Sequence, residues 1–248
     1  MNRRPWAIDV AAGPPSALHT SSADLVSTTP PAPSPPGRTI RILQADQRAV
    51  VLGSGEPDDH VDRARAEAQG VAVVRRRSGG SAVLVGPGQV LWVDVVVPVD
   101  DPLWLADVAR AGWWLGGCWA GALADVGIAG ARVWRGPMVR SAWTPRVCFA
   151  GLGPGEVTVG EAGPKVVGIS QRRTRMGALF QCAVPLLGPG AGALGPWDPA
   201  GLLDVLRLSE LQRGRAITDL ARVAVGVADR KALIDALIER CRSGTAQG

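Results

Sequence analysis

The sequence predicts an α+β fold of mixed, mainly antiparallel sheets packed with helices. Three observations point there. Apolar runs of strand length and longer runs of helical spacing are mixed along the chain rather than strictly alternating, which disfavours a doubly wound parallel sheet. The 248 residues are 46% hydrophobic, enough to fill the core of one large domain but short of a second. Glycines and prolines cut the middle of the chain into strand-sized pieces, whereas residues 199–243 keep apolar side chains at near-helical intervals.

Residues 1–38 are rich in Pro, Ser, Thr and Ala and end in Thr29-Pro30-Pro31-Ala32-Pro33-Ser34-Pro35-Pro36. Such a composition buries too little apolar surface to offset its ordering entropy, so a disordered tail is expected, with the folded domain over 39–248. Residues 49–53 read as a buried strand closed by Gly53, and Pro57-Asp58-Asp59 as the start of a helix through Val61, Ala64 and Ala68. Residues 71–75 form a second strand, which runs into Arg75-Arg76-Arg77-Ser78-Gly79-Gly80-Ser81 before strand character resumes over 82–85. Gly86-Pro87-Gly88 is a turn, and 90–97 is an apolar strand in which Asp94 is the one polar residue. Asp100-Asp101-Pro102 has the acidic cap and first-turn proline of a helix start, with Trp104, Val108, Leu115, Trp119 and Ala122 as its core stripe. Beyond Gly130, residues 132–134, 146–149, 156–159, 165–170 and 178–187 are candidate strands. From Pro199 onward a helical segment carries Leu220, Val223, Val227, Leu233, Leu237 and Cys241.

The net charge of +5 and pI near 9.7 favour acidic or polyanionic partners. Charge alone would support nucleic-acid binding, and with no tyrosine and two phenylalanines the usual aromatic stacking platform is missing. Nucleic acid is therefore not the expected partner. Cys118, Cys148, Cys182 and Cys241 lie far apart, and His19 and His60 lie well upstream, so no zinc-ligand spacing occurs and no metal is assigned. Unpaired thiols fit a cytoplasmic protein. No signal peptide is expected, because Asp9 interrupts the first apolar stretch, and Asp94, Asp107 and Arg110 break the two apolar segments, so neither reads as a membrane span.

Two of the 27 basic residues are lysines, and one of them, Lys165, sits in Gly163-Pro164-Lys165-Val166-Val167-Gly168-Ile169-Ser170-Gln171-Arg172-Arg173. An ammonium is a compact point charge suited to a phosphate, a developing oxyanion or a neighbouring thiol. Strand alternation there places Lys165 and Val167 on one face and Gly168 on the other, where it permits close backbone approach. Upstream, Arg75 to Gly80 combine arginines with paired glycines, as a cradle for phosphate or carboxylate would. The loop matches neither a P-loop nor a dinucleotide fingerprint.

Arg76-Arg77-Ser78-Gly79-Gly80-Ser81-Ala82-Val83, preceded by Arg75, together with the Lys165 segment resembles the two ordered motifs of the lipoate-protein ligase A and octanoyltransferase superfamily, which includes the biotin protein ligases. The resemblance covers residues 45–190 and implies a biotin/lipoate protein ligase-like catalytic domain, in a short form without a C-terminal accessory domain. It implies that the loop residues Arg75, Arg76, Arg77, Ser78, Gly79, Gly80, Ser81 and Ala82, with Val167, Gly168 and Ser170, bind substrate. It implies that Lys165 contacts the reacting carboxyl or phosphate, a contact whose loss costs about 3 kcal/mol in a transition state.

The ligase is the leading reading, because Arg75-Arg76-Arg77-Ser78-Gly79-Gly80 is similar to the ligase form of the loop, and it implies that lipoate is activated with ATP and Mg as an acyl-adenylate. Three departures bear on this. Ligases carry His-Asp after the loop where this chain has Leu84-Val85-Gly86-Pro87, Asn-Asp upstream of the lysine where it has Cys148-Phe149, and His-Gly where it has Phe180-Gln181. A Cys-Phe before the lysine is instead similar to octanoyltransferases of the superfamily, in which Cys148 would take an acyl group from a carrier thioester without ATP. The implied acceptors are lipoyl domains of 2-oxoacid dehydrogenases or the glycine cleavage H protein, with acyl carrier protein as a thioester donor. A non-catalytic member that binds lipoyl groups or a partner is the remaining alternative.

Overall fold

The computed structural model describes residues 4–26, 37–161, 163–188 and 194–244. Ala7–Gly13 forms β1, Pro15–Asp24 α1, Thr39–Ala45 β2, Ala49–Leu52 β3, Arg63–Ala68 α2, Ala72–Arg75 β4, Val83–Val85 β5 and Val90–Pro98 β6. Trp113–Asp125 forms α3, Ala131–Val133 β7, Val157–Val159 β8, Lys165–Thr174 β9 and Gly177–Pro185 β10. Leu194–Pro196 forms β11, Ala200–Leu203 α4, Glu210–Leu220 α5, Val225–Val227 β12 and Arg230–Ser243 α6. The main sheet has seven strands in the order β1-β2-β6-β10-β9-β8-β7, and only β1 and β2 run parallel. A second sheet, β4-β3-β5, pairs β3 with β4 in parallel and with β5 antiparallel, and β11 and β12 form a two-stranded ribbon. The mixed, mainly antiparallel α+β class is what the pattern predicts.

β6 and β10 lie at the centre and are buried along nearly their whole length, which is why 90–97 reads as a continuous apolar run instead of an alternating one. Alternation still divides the two faces. Ile42, Val93, Val95, Phe180 and Cys182 pack on Leu115, Trp119 and Leu123 of α3 and on Leu233, Leu237 and Cys241 of α6. The opposite face carries Leu43, Trp92 and Ala183 against Leu18 of α1, Val51 of β3, Val83 of β5 and Phe149. The small sheet and its loops therefore sit on one face of the large sheet, and the two long helices seal the other. No helix among the described residues is long and apolar enough to cross a membrane.

Four expectations are corrected. The tail expected over 1–38 contains β1, whose residues pair with β2 from Ala7↔Thr39 to Gly13↔Ala45, and Trp6, which is buried with its Nε1 donating to the Cys241 carbonyl at 3.0 Å. The proline-rich 27–36 lies outside the described residues and dominated the composition on which the expectation rested. The helix expected from Asp100 starts only at Trp113. Asp101 is taken by Arg38 at 2.7 and 2.8 Å and by the Leu103 N–H, and Asp107 accepts from Ala109 and Arg110 N–H groups, so side-chain acceptors hold turns where a helix would run. The strand expected at 146–149 is a 3₁₀ turn over Cys148–Ala150, tied to the glycine loop's exit by Cys148 N–H donating to Ala82 O at 3.0 Å. The C-terminal helical segment is interrupted by β12, because backbone groups of Leu187 and Lys165 claim the carbonyls of Val227 and Val223.

Candidate active site

The loop between β4 and β5 is held from within. Arg76 is 1% exposed, and its guanidinium donates to Val51 O at 3.0 Å, Gly79 O at 2.8 Å, Ser81 O at 3.0 Å and Ser78 Oγ at 3.1 Å. It rigidifies the cradle from within, spending four of its five N–H donors on the loop and on β3. Arg75 turns away to Gly53 O, Glu56 O and Asp58, and Arg77 is exposed. Gly80 takes φ +94° and lets its carbonyl sit on Gly53, where a Cβ would stand 1.7 Å from Gly80 O.

Gly79, Gly80 and Ser81 line a cavity of about 690 Å³ together with Cys148, Lys165 and Ser170. Its apolar lining includes Met138, Pro145 and Ile169, with Val108 exposed at the edge. The glycine loop and the lysine segment, far apart in sequence, are thus brought together. Cys148 is half-buried, and its Sγ is 3.9 Å from where a Cβ on Gly80 would be. The other thiols are buried in the core, Cys182 with its pKa pushed up by burial.

Lys165 is 3% exposed and fully coordinated. Its Nζ donates to Cys148 O at 2.8 Å, Gly151 O at 2.6 Å and both carboxylate oxygens of Glu156 at 3.1 Å, and lies 5.3 Å from the Phe149 ring centroid. The bond to residue 148 goes to the main chain, so the lysine pins the turn that presents the thiol. Glu156 also accepts from Gly153 N–H at 2.6 Å and Ile169 N–H at 3.1 Å. A Cβ at Gly168 would stand 3.5 Å from Glu156 Oε1, which is the close approach glycine allows there. Val167 does not share the lysine's face as alternation suggested. The β8–β9 register shifts between Val157 and Thr158, placing Val167 in the core while Lys165 lines the cavity. Ala82 is likewise buried in the core.

Beneath the loop runs a polar row that sequence reasoning missed. Asp9, Arg41, Asp94, Gln181 and Ser170 are successive register partners across β1, β2, β6, β10 and β9. Ser78 joins it from above, donating to Gln181 Oε1 at 2.6 Å and meeting Ser170 Oγ at 2.9 Å. Gln181 Nε2 donates to Asp94 at 3.2 and 3.3 Å, and Trp92 Nε1 to Asp94 Oδ1 at 2.8 Å. Burial raises the Asp94 pKa to about 6. The lone charge in an apolar strand was the signal for Asp94. Glu156 gave none, since a glutamate nine residues before a lysine is ordinary in sequence.

The profile of the lipoyl protein ligase A/B catalytic domain matches residues 25–188, more than half of the chain. Among solved structures, the bipartite lipoate protein ligase of Thermoplasma acidophilum, described with its E2 lipoyl domain, superposes with TM-score 0.70 at 19% identity, covering 98% of this chain and 84% of that one. A T. acidophilum protein with bound lipoic acid gives TM-score 0.65 at 18% identity (98% and 86% covered), and a lipoate-protein ligase A bound with ATP gives 0.65 at 18% (98% and 85%). These likenesses are of fold. The comparison with curated protein sequences gave no match. With the ordered pair of motifs converging on one cavity and the profile spanning both, the chain belongs to the lipoyl protein ligase A/B catalytic domain family.

Proposed function

We propose that this protein attaches an octanoyl or lipoyl group to a lysine of a lipoyl domain through a thioester on Cys148. The observation that carries this is the placement of the Cys148 thiol in the same cavity as the glycine loop and Lys165, beside an apolar lining suited to an acyl chain. The Cys148 sulfur attacks the carbonyl carbon of a carrier thioester. A C–S bond forms, the carrier C–S bond breaks, and the carrier thiol leaves with the proton given up by Cys148. The acceptor lysine amine then attacks the acyl-enzyme, an amide forms, and Cys148 regains a proton as its C–S bond breaks. Lys165, its charge paired with Glu156, holds the 148–150 turn that presents the thiol through the Cys148 and Gly151 carbonyls. The basic surface suits acidic acceptor domains, and the relative described with its E2 lipoyl domain supports that partner class.

The second reading is acyl-adenylate formation from lipoate and ATP, which the ATP-bound and lipoate-bound relatives favour. Nucleotide phosphates would meet the backbone of Gly79 to Ser81 and Arg140. A magnesium site does not fit the residues present: Glu156 is the one carboxylate lining the cavity among the described residues, and Lys165 and two N–H groups already use its oxygens.

An apo lipoyl domain given octanoyl carrier-protein thioester without ATP, or lipoate with ATP, separates the readings by intact mass. Modification is expected with the thioester alone and is lost in Cys148→Ala. Modification only with ATP sinks the thiol mechanism, and Lys165→Arg retaining full activity sinks the assigned role of Lys165. No modification under either condition favours a binding-only protein.

A further inference from the structure

We propose that Ser170 is a specificity-determining residue that receives an N–H or O–H donor of the substrate, because a hydrogen-bond chain anchored on Asp94 leaves it only lone pairs to offer. The inference rests on the thioester reading above and names the part of the acyl donor that the glycine-loop end of the cavity recognises.

The chain has one consistent set of protons. An ionised Asp94 only accepts, so the Gln181 amide turns its Nε2 toward it and presents Oε1 to Ser78. Ser78 Oγ must then spend its one proton on Gln181 at 2.6 Å. Its lone pairs take Arg76 Nε at 3.1 Å, which can only donate, and Ser170 Oγ at 2.9 Å. The Ser170 proton is committed to that contact, since its other acceptor, Gln181 O, lies at the 3.5 Å limit. Ser170 lines the cavity and faces it as an acceptor. An acyl carbonyl or carboxylate oxygen is disfavoured there. The amide N–H of a pantetheine-type thioester arm is the group of matching polarity on a carrier-bound donor.

Protonating Asp94 permits the reverse chain. The carboxylic acid donates to Gln181 Oε1, the flipped amide donates to Ser78, Ser78 donates to Ser170, and the Ser170 proton is released into the cavity. Among charged and titratable groups, Arg41 on β2 and Cys182 on β10 interact with Asp94, Arg76 at the loop and His19 on α1 flank the Trp92 ring whose indole N–H binds Asp94, and Arg41 also pairs with Asp9 at 2.6 Å.

Two octanoyl thioesters that differ at one atom test this: N-acetylcysteamine, which carries the amide N–H, and 2-mercaptoethyl acetate, whose ester oxygen replaces it. Acylation of the protein is followed by intact mass at pH 5 to 8, and binding of both compounds to Cys148→Ala protein by calorimetry. The wild-type protein is expected to favour the amide about tenfold in kcat/KM at pH 8, as one hydrogen bond and its mismatch allow, with the preference shrinking toward pH 5. Ser170→Ala abolishes the preference, and Asp94→Asn, which can donate to Gln181, makes it small and independent of pH. Calorimetry gives the same amide preference without turnover. Equal affinity for the two compounds, binding of neither, or an Asp94→Asn protein that keeps the wild-type preference overturns the proposal. Preferential amide binding without acylation overturns only the transfer reading.

Discussion

His19 and Asp94 lie on the same side of the main sheet, and burial moves their protonation in opposite directions from their ordinary values. His19 is 4% exposed, stacks edge-on against Trp92 at 4.7 Å, has no hydrogen-bond partner for Nδ1 among the described residues, and has its pKa lowered to about 3. The unfolded chain protonates this histidine below pH 6.5 and the folded one does not, so its contribution to stability rises with pH between about 3 and 6.5, by on the order of 5 kcal/mol in all. Asp94 has its pKa raised to about 6, so the folded state binds the extra proton between about 3.8 and 6 and stability falls with rising pH there, by on the order of 3 kcal/mol. The two slopes offset each other in the wild type. Urea titrations at pH 4.5, 5.5 and 7 should therefore show a steeper acid loss in Asp94→Asn than in wild type, and a shallower one in His19→Gln. At this scale the sequence exposed Lys165 by its rarity and Cys148 by its place before it. It did not expose Glu156, Gln181 or Ser78's role, because a partner across a sheet leaves no local trace.

Among the elements, the strands were the most legible. Residues 49–53 and 90–97 appear as β3 and β6 almost as read, since apolar runs bounded by glycine have few other uses. The helix expected from Asp100 failed because Asp101, which looks like a cap, is taken by the buried Arg38 and the Leu103 N–H, and Asp107 holds a further turn. The loop between β4 and β5 was recognised as a cradle, yet its arginines do different work from that expected, Arg76 binding the loop to itself. The tightest constraint is one that composition does not announce: Gly53, at the end of β3, lies under Gly80. A Gly53→Ala methyl would meet Gly80 O at 1.7 Å, backbone against side chain with no flexible group to yield, so the loop must move. Acylation should fall at least tenfold while the circular dichroism spectrum is retained and the unfolding free energy drops by about 1–3 kcal/mol.

For the whole molecule, the N-terminal segment is part of the fold. β1 extends the main sheet by one parallel strand, and Trp6 stacks near Trp114 at 6.2 Å and under Arg38 at 5.5 Å while reaching the last helix through Cys241 O. First strand and last helix are thereby fastened to one core. Trp6→Ala should cost about 3–5 kcal/mol by chemical denaturation, a loss that a disordered tail would not produce.

The sequence by itself determined the α+β class, most strands, the two motifs that carry family membership, and the pair of residues at the proposed chemistry. These follow from local pattern, because strand periodicity, glycine turns and an isolated lysine are written in consecutive residues. Only the tertiary structure decided that β1 closes onto β2, that β12 interrupts the C-terminal helices, that Lys165 is seated on Glu156, and that five residues from five strands line up under the glycine loop. Each of these depends on which distant backbone groups hydrogen-bond and which strands lie side by side. That information resides in register and burial, and no window of neighbouring residues contains it.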